Sequence, residues 1–179
     1  QKILDNYSFK YTHSSAESSA VGFNKILTKK AIQDTLIPTP EHIVIDYKDI
    51  KKEILYDSLM QFGSIIVKPV SSGSSFGIQI MKDKNAINNF INKINFNSNI
   101  YINHNELLIE KYIEGRELTV ACIDRDSNSN AIEVTEIISN NEYFDYESKY
   151  TPGFSKHILP AQIPKNIYND CKNFAKIAH

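Results

Sequence analysis

The spacing of apolar residues along the chain alternates between the period of a helix and the period of a strand. Apolar residues three and four apart predict amphipathic helices, and short apolar runs bounded by glycine, proline or asparagine predict strands. The predicted helices cover the segments after Ser14 (to about Pro38), 48–62, 83–94 and 164–178, and the predicted strands cover 42–45, 64–70, 77–81, 107–113, 118–123 and 131–138. This order predicts an α+β fold.

The predicted elements group into two units. Ser14 to Glu17 fits a capping box with Ser14 as N-cap, and the helix that it opens is predicted to continue without a break towards Pro38. Residues 41–114 are predicted to form a small antiparallel sheet backed by two helices. A second β-rich unit follows, and a ligand is expected in the cleft between the two units.

One loop has the composition of a phosphate-binding loop. Lys68 ends an apolar strand, and Gly73, Ser74 and Ser75 follow within a few residues. Glycine lets backbone N–H groups approach an anion, serine adds hydroxyl donors, and lysine supplies positive charge. The spacing differs from that of a Walker P-loop. A plain Ser/Gly turn between two strands is the alternative interpretation at this point.

The segment from Glu110 to Val120 is a second candidate binding element. In a strand, Glu110 and Tyr112 share one face, and the edge of that strand would offer backbone groups to an adenine. Glu117, which follows a bend at Gly115, would accept hydrogen bonds from ribose hydroxyls. The alternative is a solvated run of alternating charges on an edge strand.

Composition excludes several classes of protein. The 179 residues suffice for one domain or two small ones, and 41% hydrophobic and 23% charged residues are ordinary for a globular protein. A net charge of −1 without a basic stripe argues against nucleic acid, and no apolar run is long enough for a membrane span. Cys122 and Cys171 lie in apolar patterns and are typical of buried thiols in a reducing compartment. We therefore expect a cytoplasmic protein.

Six motifs occur in an order that resembles a known family. They are Tyr11–Ser14, Asn24-Lys25-x-x-Thr28-Lys29, Lys68–Gly77, Glu110–Val120, Tyr143–Tyr150 and His157–Ala161. Together they resemble the D-alanine–D-alanine ligase family of the ATP-grasp superfamily, and F-D-Y-E-x-K-Y is the most specific of them. His13 and Asn24 depart from the family pattern, which has glycine and aspartate there.

The resemblance implies a set of phosphate ligands and catalytic residues. Lys25 and Lys68 match lysines that grip the ATP phosphates, and Ser74 and Ser75 match loop donors that close over the transferred phosphoryl group. Lys149 matches an omega-loop lysine that contacts phosphate. The residues expected to act in catalysis are Lys149, Tyr150 and Ser74, with Tyr150 sealing the substrate site.

The resemblance also implies the nucleoside ligands, the domain limits and the metal. The residues that match nucleoside ligands are Glu110, Lys111, Tyr112 and Ile113 for adenine and Glu117 for ribose. Residues 1–36 correspond to the tail of an N-terminal domain and a linking helix, 37–114 to the central lid, and 115–179 to part of the C-terminal ATP-grasp domain. Mg²⁺ (or Mn²⁺) is expected, with its ligands beyond His179 and none within the chain.

The activity implied by the resemblance is ATP-dependent ligation of two D-alanines through a D-alanyl phosphate, which supplies peptidoglycan precursor synthesis. The expected partners are two molecules of D-alanine and a second copy of the intact protein in a homodimer, with neither nucleic acid nor membrane. The chain by itself is expected to be weakly active or inactive. Alternatives are a D-alanine–D-lactate or D-alanine–D-serine ligase, and a nucleotide-binding module without ligase turnover.

Overall fold

A computed structural model describes residues 1–96, 105–125, 128–140 and 146–179. The helices and strands, in chain order, are α1 (Lys2–Asn6), α2 (Ala16–Phe23), α3 (Lys25–Ile32), β1 (His42–Asp46), a 3-10 turn (Tyr47–Asp49), α4 (Lys52–Phe62), β2 (Ile65–Pro69), β3 (Gln79–Met81), α5 (Lys84–Phe96), β4 (Glu106–Lys111), β5 (Glu117–Arg125), β6 (Asn128–Ser139), α6 (Tyr146–Tyr150), β7 (Ser155–Ile158) and α7 (Lys165–Ala178). Helices and antiparallel strands are mixed, and the predicted α+β class is confirmed.

The first sheet has four antiparallel strands in the order β1-β4-β2-β3, and one face of it forms the main core. Alternate residues point to that face because side chains in a strand alternate with a period of two. Helices α4 and α5 cover this face with their apolar stripes. The core residues include Leu55, Phe62, Ile65, Val67, Met81, Ile87, Phe90, Leu107 and Ile109. Full burial of each such side chain contributes about 1.5–3 kcal/mol.

The register of this sheet places two charged residues together on its other face. Ile66 pairs with Glu110, and Lys68 pairs with Leu108. Ile66 and Lys68 alternate with the core residues Ile65 and Val67, so they point away from α4 and α5. Glu110 and Lys68 are therefore diagonal neighbours on the face that carries the candidate site.

The second sheet has three antiparallel strands in the order β5-β6-β7, and α7 packs on β5 and β6. The first two strands, which follow one another along the chain, form an antiparallel pair. Just before β5, the Arg116 guanidinium holds the carboxylate of Glu136 on β6 through two hydrogen bonds of 2.5 and 2.7 Å. This bidentate pair and a bond from Arg116 to the Gln162 carbonyl connect the segment between the sheets to the second sheet.

The predicted N-terminal helix is wrong in two respects. Its N-cap is Ser15, whose hydroxyl accepts a hydrogen bond from the Ser18 N–H, and Ser14 lies outside the helix. The helix also ends at Phe23, because Asn24 adopts an extended backbone and its side chain accepts bonds from the N–H groups of Ile26 and Leu27. Asn24 thus begins a separate helix, as its capping chemistry favours.

Three further expectations need correction. The helix expected from Lys48 begins at Lys52, because the Asp46 carboxylate accepts from the Lys48 N–H and holds a 3-10 turn there. The strand expected to reach Ile113 ends at Lys111, and it lies between β1 and β2 and is not an edge strand. Strand β7 and helices α1 and α6 were not predicted. Across the described ranges, no helix combines the length and apolar character that a membrane span requires.

Candidate functional site

A buried carboxylate lies at the centre of the site. Glu110 on β4 is 4% exposed, and each of its carboxylate oxygens faces a different lysine. Lys29 Nζ on α3 lies 2.6 Å from Oε1, and Lys68 Nζ on β2 forms an ion pair with Oε2. The three residues come from three elements, so this ion-pair network connects α3 to the first sheet.

Lys25 joins this group from the first turn of α3. Its ammonium donates to the carbonyl of Ser72 at 3.0 Å and is 3.5 Å from that of Val70, while its backbone N–H donates to Val70 at 3.0 Å. Burial, and then the positive charge of Lys68, lower the pKa of Lys25, and Glu110 opposes this shift. We refer to Lys25, Lys29, Lys68 and Glu110 as the lysine cluster.

The ion pairs decide the charge state of Glu110. Burial raises the pKa of a carboxyl group, because it disfavours the charged form. Hydrogen bonds from Lys29 and Lys68, together with the charges of both, more than offset burial, and the net pKa of Glu110 lies below its ordinary value. The carboxylate is therefore ionised at neutral pH.

The Ser/Gly loop follows β2 and has an unusual backbone. Ser74 and Ser75 have φ angles of 52° and 56°, and Gly77 has a φ of 71°. Left-handed conformations are uncommon for residues other than glycine, and they collect at ligand-binding sites. A hydrogen bond of 3.1 Å from the Phe76 N–H to the Gly73 carbonyl closes the turn.

Two residues of α6, more than 70 residues further along the chain, contact this loop. The hydroxyls of Ser74 and Tyr150 lie 2.8 Å apart, and Lys149 Nζ donates to Ser75 Oγ at 2.8 Å. Helix α6 is attached to β6 through its buried residue Ser148, whose hydroxyl lies 2.7 Å from the hydroxyl of Ser139 on β6. We refer to Ser74, Ser75, Lys149 and Tyr150 as the loop contact.

The predicted nucleoside segment is arranged differently from the prediction. The N–H groups of Lys111 and Tyr112 donate to the carbonyls of Glu41 and Ser64, both at 2.9 Å. These two N–H groups are therefore already paired and are not offered to an adenine, because β4 lies between β1 and β2 inside the sheet. Ile113 and Glu117 follow it and are exposed. Lys82 Nζ lies 5.4 Å from the centre of the partly buried Tyr112 ring.

A comparison with protein families decides what this arrangement belongs to. The family model described as "D-ala D-ala ligase C-terminus" matches residues 31–179. The chain belongs to the D-alanine–D-alanine ligase family. Phe144 and Asp145 of the F-D-Y-E-x-K-Y motif, and Tyr143 before it, lie outside the described residues, while its Lys149 and Tyr150 belong to the loop contact.

Relatives and solved structures agree with this family. The D-alanine–D-alanine ligase of Zymomonas mobilis is 35% identical over 179 residues, which are all of this chain and 52% of that ligase. D-alanyl-alanine synthetase A of Vibrio cholerae has a TM-score of 0.79 at 22% identity, over 99% of this chain and 53% of that one. A D-alanine–D-alanine ligase of Bacillus anthracis complexed with ATP has a TM-score of 0.68 at 24% identity, over 99% of this chain and 53% of that ligase. The chain spans about half the length of the curated relatives it matches, and its fold is the ATP-grasp fold of these ligases.

The Mg²⁺ expected for this ligase family has no donor set in the described part of the chain, where no three His, Cys, Asp or Glu side chains are grouped to hold a metal ion. We assign no metal ligand, and ligands beyond His179 stay a prediction. A surface cavity of about 740 Å³ lies elsewhere, between α1, α2 and α3, with Asp5, Val21 and Leu27 among its lining residues. It is formed by residues outside the lysine cluster and the loop contact.

Lys29 is the site residue that sequence reasoning left without a role. Lys25 and Lys29 are four residues apart on α3 and so share one face of the helix. This spacing is the signal that could have identified Lys29. Its partner Glu110 is 81 residues away along the chain, and only the fold brings the two together.

Proposed function

We propose that the chain is the ATP-binding part of a ligase that joins two D-alanines. The observation that carries this proposal is the buried carboxylate of Glu110 between two lysines, directly beside a Ser/Gly loop that a third lysine contacts through its carbonyls. Family membership and a B. anthracis relative solved with ATP support it.

The charges of the lysine cluster suit a triphosphate. The ammonium groups of Lys29 and Lys68 contact the single carboxylate of Glu110, and that of Lys25 interacts electrostatically with Lys68 and Glu110. Three positive charges against one negative charge leave positive charge over. Phosphoryl transfer is catalysed mainly by positioning and by stabilising negative charge, and fixed cations in a partly buried site do both. Lys25 and Lys68 are the proposed phosphate ligands.

The loop contact supplies the other half of the proposed site. Ser74 and Ser75 would donate to the transferred phosphoryl group, and Lys149 would reach the same phosphates from α6. Tyr150 bonds to Ser74, so the two segments close over one another. Closure excludes water, which would otherwise hydrolyse an acyl phosphate. After the family pattern, we propose that adenine binds at the exposed end of the Glu110–Ile113 segment, where Ile113 follows the paired backbone of Lys111 and Tyr112. Ribose is proposed to bind at the exposed Glu117.

The proposed reaction has two steps. A carboxylate oxygen of the first D-alanine takes the γ-phosphoryl group of ATP, and ADP leaves. The amine of the second D-alanine then attacks the carbonyl carbon of the acyl phosphate, a proton is lost from nitrogen, and phosphate leaves with the former oxygen–carbon bonding pair. The product is the D-alanyl-D-alanine of peptidoglycan precursors. Mg²⁺, when bound, would offset negative charge on the phosphates, and we assign none of the described residues as its ligands.

The wider setting follows from this proposal. Residues 37–114 would act as the central lid, residues 115–179 as part of the C-terminal ATP-grasp unit, and residues 1–36 as the end of the N-terminal domain with its linking helix. The intact protein would work in the cytoplasm as a homodimer, as the family resemblance implies.

The test is phosphate release with MgATP, measured with D-alanine, with L-alanine as the matched control, and without amino acid. We would assay the chain and a protein that carries it at the full length of its relatives. The proposal expects D-alanine to stimulate release by the full-length protein, and L-alanine to leave the rate unchanged. A folded full-length protein that binds ATP without D-alanine-stimulated release would instead be a nucleotide-binding module.

A further inference from the structure

Lys29 has two polar contacts that connect three parts of the fold. Its ammonium lies 2.6 Å from Glu110 Oε1 and donates to the carbonyl of Pro40, which precedes β1, at 3.0 Å. Its side chain is only 12% exposed. Lys29 differs in this from Lys68, which pairs with the same carboxylate but is 21% exposed. To turn towards a ligand, Lys29 would have to break its bond to Pro40 as well as leave a buried carboxylate half-paired, which is costly.

The two oxygens of Glu110 are divided between two lysines, and this division has an electrostatic consequence. A carboxylate that faces one lysine neutralises that lysine. Here Lys29 takes one oxygen and Lys68 takes the other, while Lys25 interacts with both Lys68 and Glu110. Three positive groups and one negative group leave a net charge of about two positive units in a partly buried site, where charges are screened less than in water.

We propose that Lys29 is a positioning residue of the nucleotide site that acts through Glu110. It fixes the carboxylate and offsets its charge, and Lys68 and Lys25 thereby keep a positive field for a triphosphate. The inference rests on the proposed function and adds to it a residue that would not touch the nucleotide. A lysine with a merely structural role would tie α3 to β4 and leave the field at the phosphates unchanged.

The first test is the dissociation constant of MgATP for the chain, measured by calorimetry on the wild type and on Lys29 variants. Lys29→Met should weaken binding about tenfold, as expected for one unit charge removed from a partly buried site. Lys29→Arg, which keeps the charge, should stay within about threefold of the wild type. Lys30→Met is the matched control, because Lys30 is the exposed neighbour on the same helix, and it should bind as the wild type does.

A second test separates charge from architecture. Inorganic tripolyphosphate serves as the probe, since it carries the phosphate charge without adenine. The double variant Lys29→Met/Glu110→Gln removes one positive and one negative charge, so the net charge of the cluster is unchanged. It leaves no unpaired carboxylate, and so it serves as the test even where Lys29→Met alone fails to fold. The double variant should bind tripolyphosphate within about threefold of the wild type.

The outcomes are distinct. The proposal would be overturned if the double variant lost as much affinity as Lys29→Met. It would also be overturned if Lys29→Arg lost as much affinity as Lys29→Met. Lys29 would then be a structural contact only. Unchanged binding by Lys29→Met would overturn the proposal as well. A wild-type chain that binds neither MgATP nor tripolyphosphate would overturn the proposed function together with this inference.

Discussion

The lysine cluster and the loop contact are made of similar groups in opposite settings. In the lysine cluster, Glu110 is 4% exposed and pairs with lysines on α3 and β2, which the sheet and its helices hold in place. In the loop contact, Tyr150 is 62% exposed, and hydrogen bonds of 2.8 Å join a left-handed loop to the short helix α6.

This difference separates what the fold fixes from what it leaves adjustable. A buried ion pair that loses one partner strands a charge in a poorly solvated place, so its members stay together as long as the chain is folded. An exposed hydrogen bond contributes only about 0.5–1.5 kcal/mol, and water replaces it readily. We infer that the lysine cluster sets the charge of the site and that the loop contact supplies a closure that can open.

The largest expected effect comes from breaking the lysine cluster. Glu110→Ala should lower the free energy of unfolding by about 3 kcal/mol, at the low end of the range for a broken buried ion pair. The low end applies because Lys29 and Lys68 keep 12% and 21% of their side chains exposed. Urea unfolding of the wild type and of Glu110→Ala, followed by circular dichroism, measures this difference in unfolding free energy.

The matched control is Glu114→Ala, four residues further on. The Glu114 side chain is 84% exposed and lies 3.6 Å from Lys82. Because exposed ion pairs contribute little, this change should cost less than about 0.5 kcal/mol. Equal losses from Glu110→Ala and Glu114→Ala would contradict the division between a fixed and an adjustable region.

Acid should act on the same cluster. Hydrogen bonds from Lys29 and Lys68 outweigh burial and hold the pKa of Glu110 below its ordinary value of 4.5. Its contribution to stability is therefore complete above the unfolded pKa and is lost as pH falls through the folded pKa. The unfolding free energy of the wild type should fall more steeply below pH 4.5 than that of Glu110→Gln. Parallel curves for the two proteins would count against an ionised, paired Glu110.

The backbone of the Ser/Gly loop gives a smaller effect. Gly77 has a φ of 71°, and alanine in this left-handed conformation should cost about 1–2 kcal/mol. Gly73→Ala is the control in the same loop, because a Cβ there would meet nothing within 4 Å. Thermal unfolding of both variants measures the difference, and equal melting temperatures would show that the left-handed backbone at Gly77 carries no strain.

The smallest expected effect on stability comes from the loop contact. Tyr150→Phe removes the hydroxyl that bonds to Ser74 Oγ, and because the residue is exposed the change should stay within about 0.5 kcal/mol. In the full-length protein it should instead raise the ratio of ATP hydrolysed to dipeptide formed. Tyr150→Ala should raise that ratio further, and a ratio unchanged in both would mean that Tyr150 is not the seal.

The two regions also differ in how far the sequence predicts them. Strands such as Ile65–Pro69 were predictable, because a short apolar run lies there between glycine and serine residues. The break at Asn24 was missed, because a capping side chain overrides the apolar period on either side of it. Which strand lies inside the sheet, and so that Glu110 is buried, depends on pairing between distant segments and has no local signal.

The candidate site shows the same limit. Lys25, Lys68 and the serines were named from their motifs, whereas the ion pair of Lys29 with Glu110 depends on the meeting of a helix and a strand far apart in the sequence. The bond between Ser74 and Tyr150, 76 residues apart, likewise depends on the fold.

The central claim is that the lysine cluster binds a triphosphate. Titration of MgATP into the wild-type chain and into the Lys68→Met variant tests this claim most directly. We predict that Lys68→Met weakens binding at least about tenfold, since it removes a cation from the site. Lys93→Met, an exposed lysine on α5 behind the sheet, should leave binding unchanged. Equal affinity of Lys68→Met and the wild type, with both folded, would contradict the account.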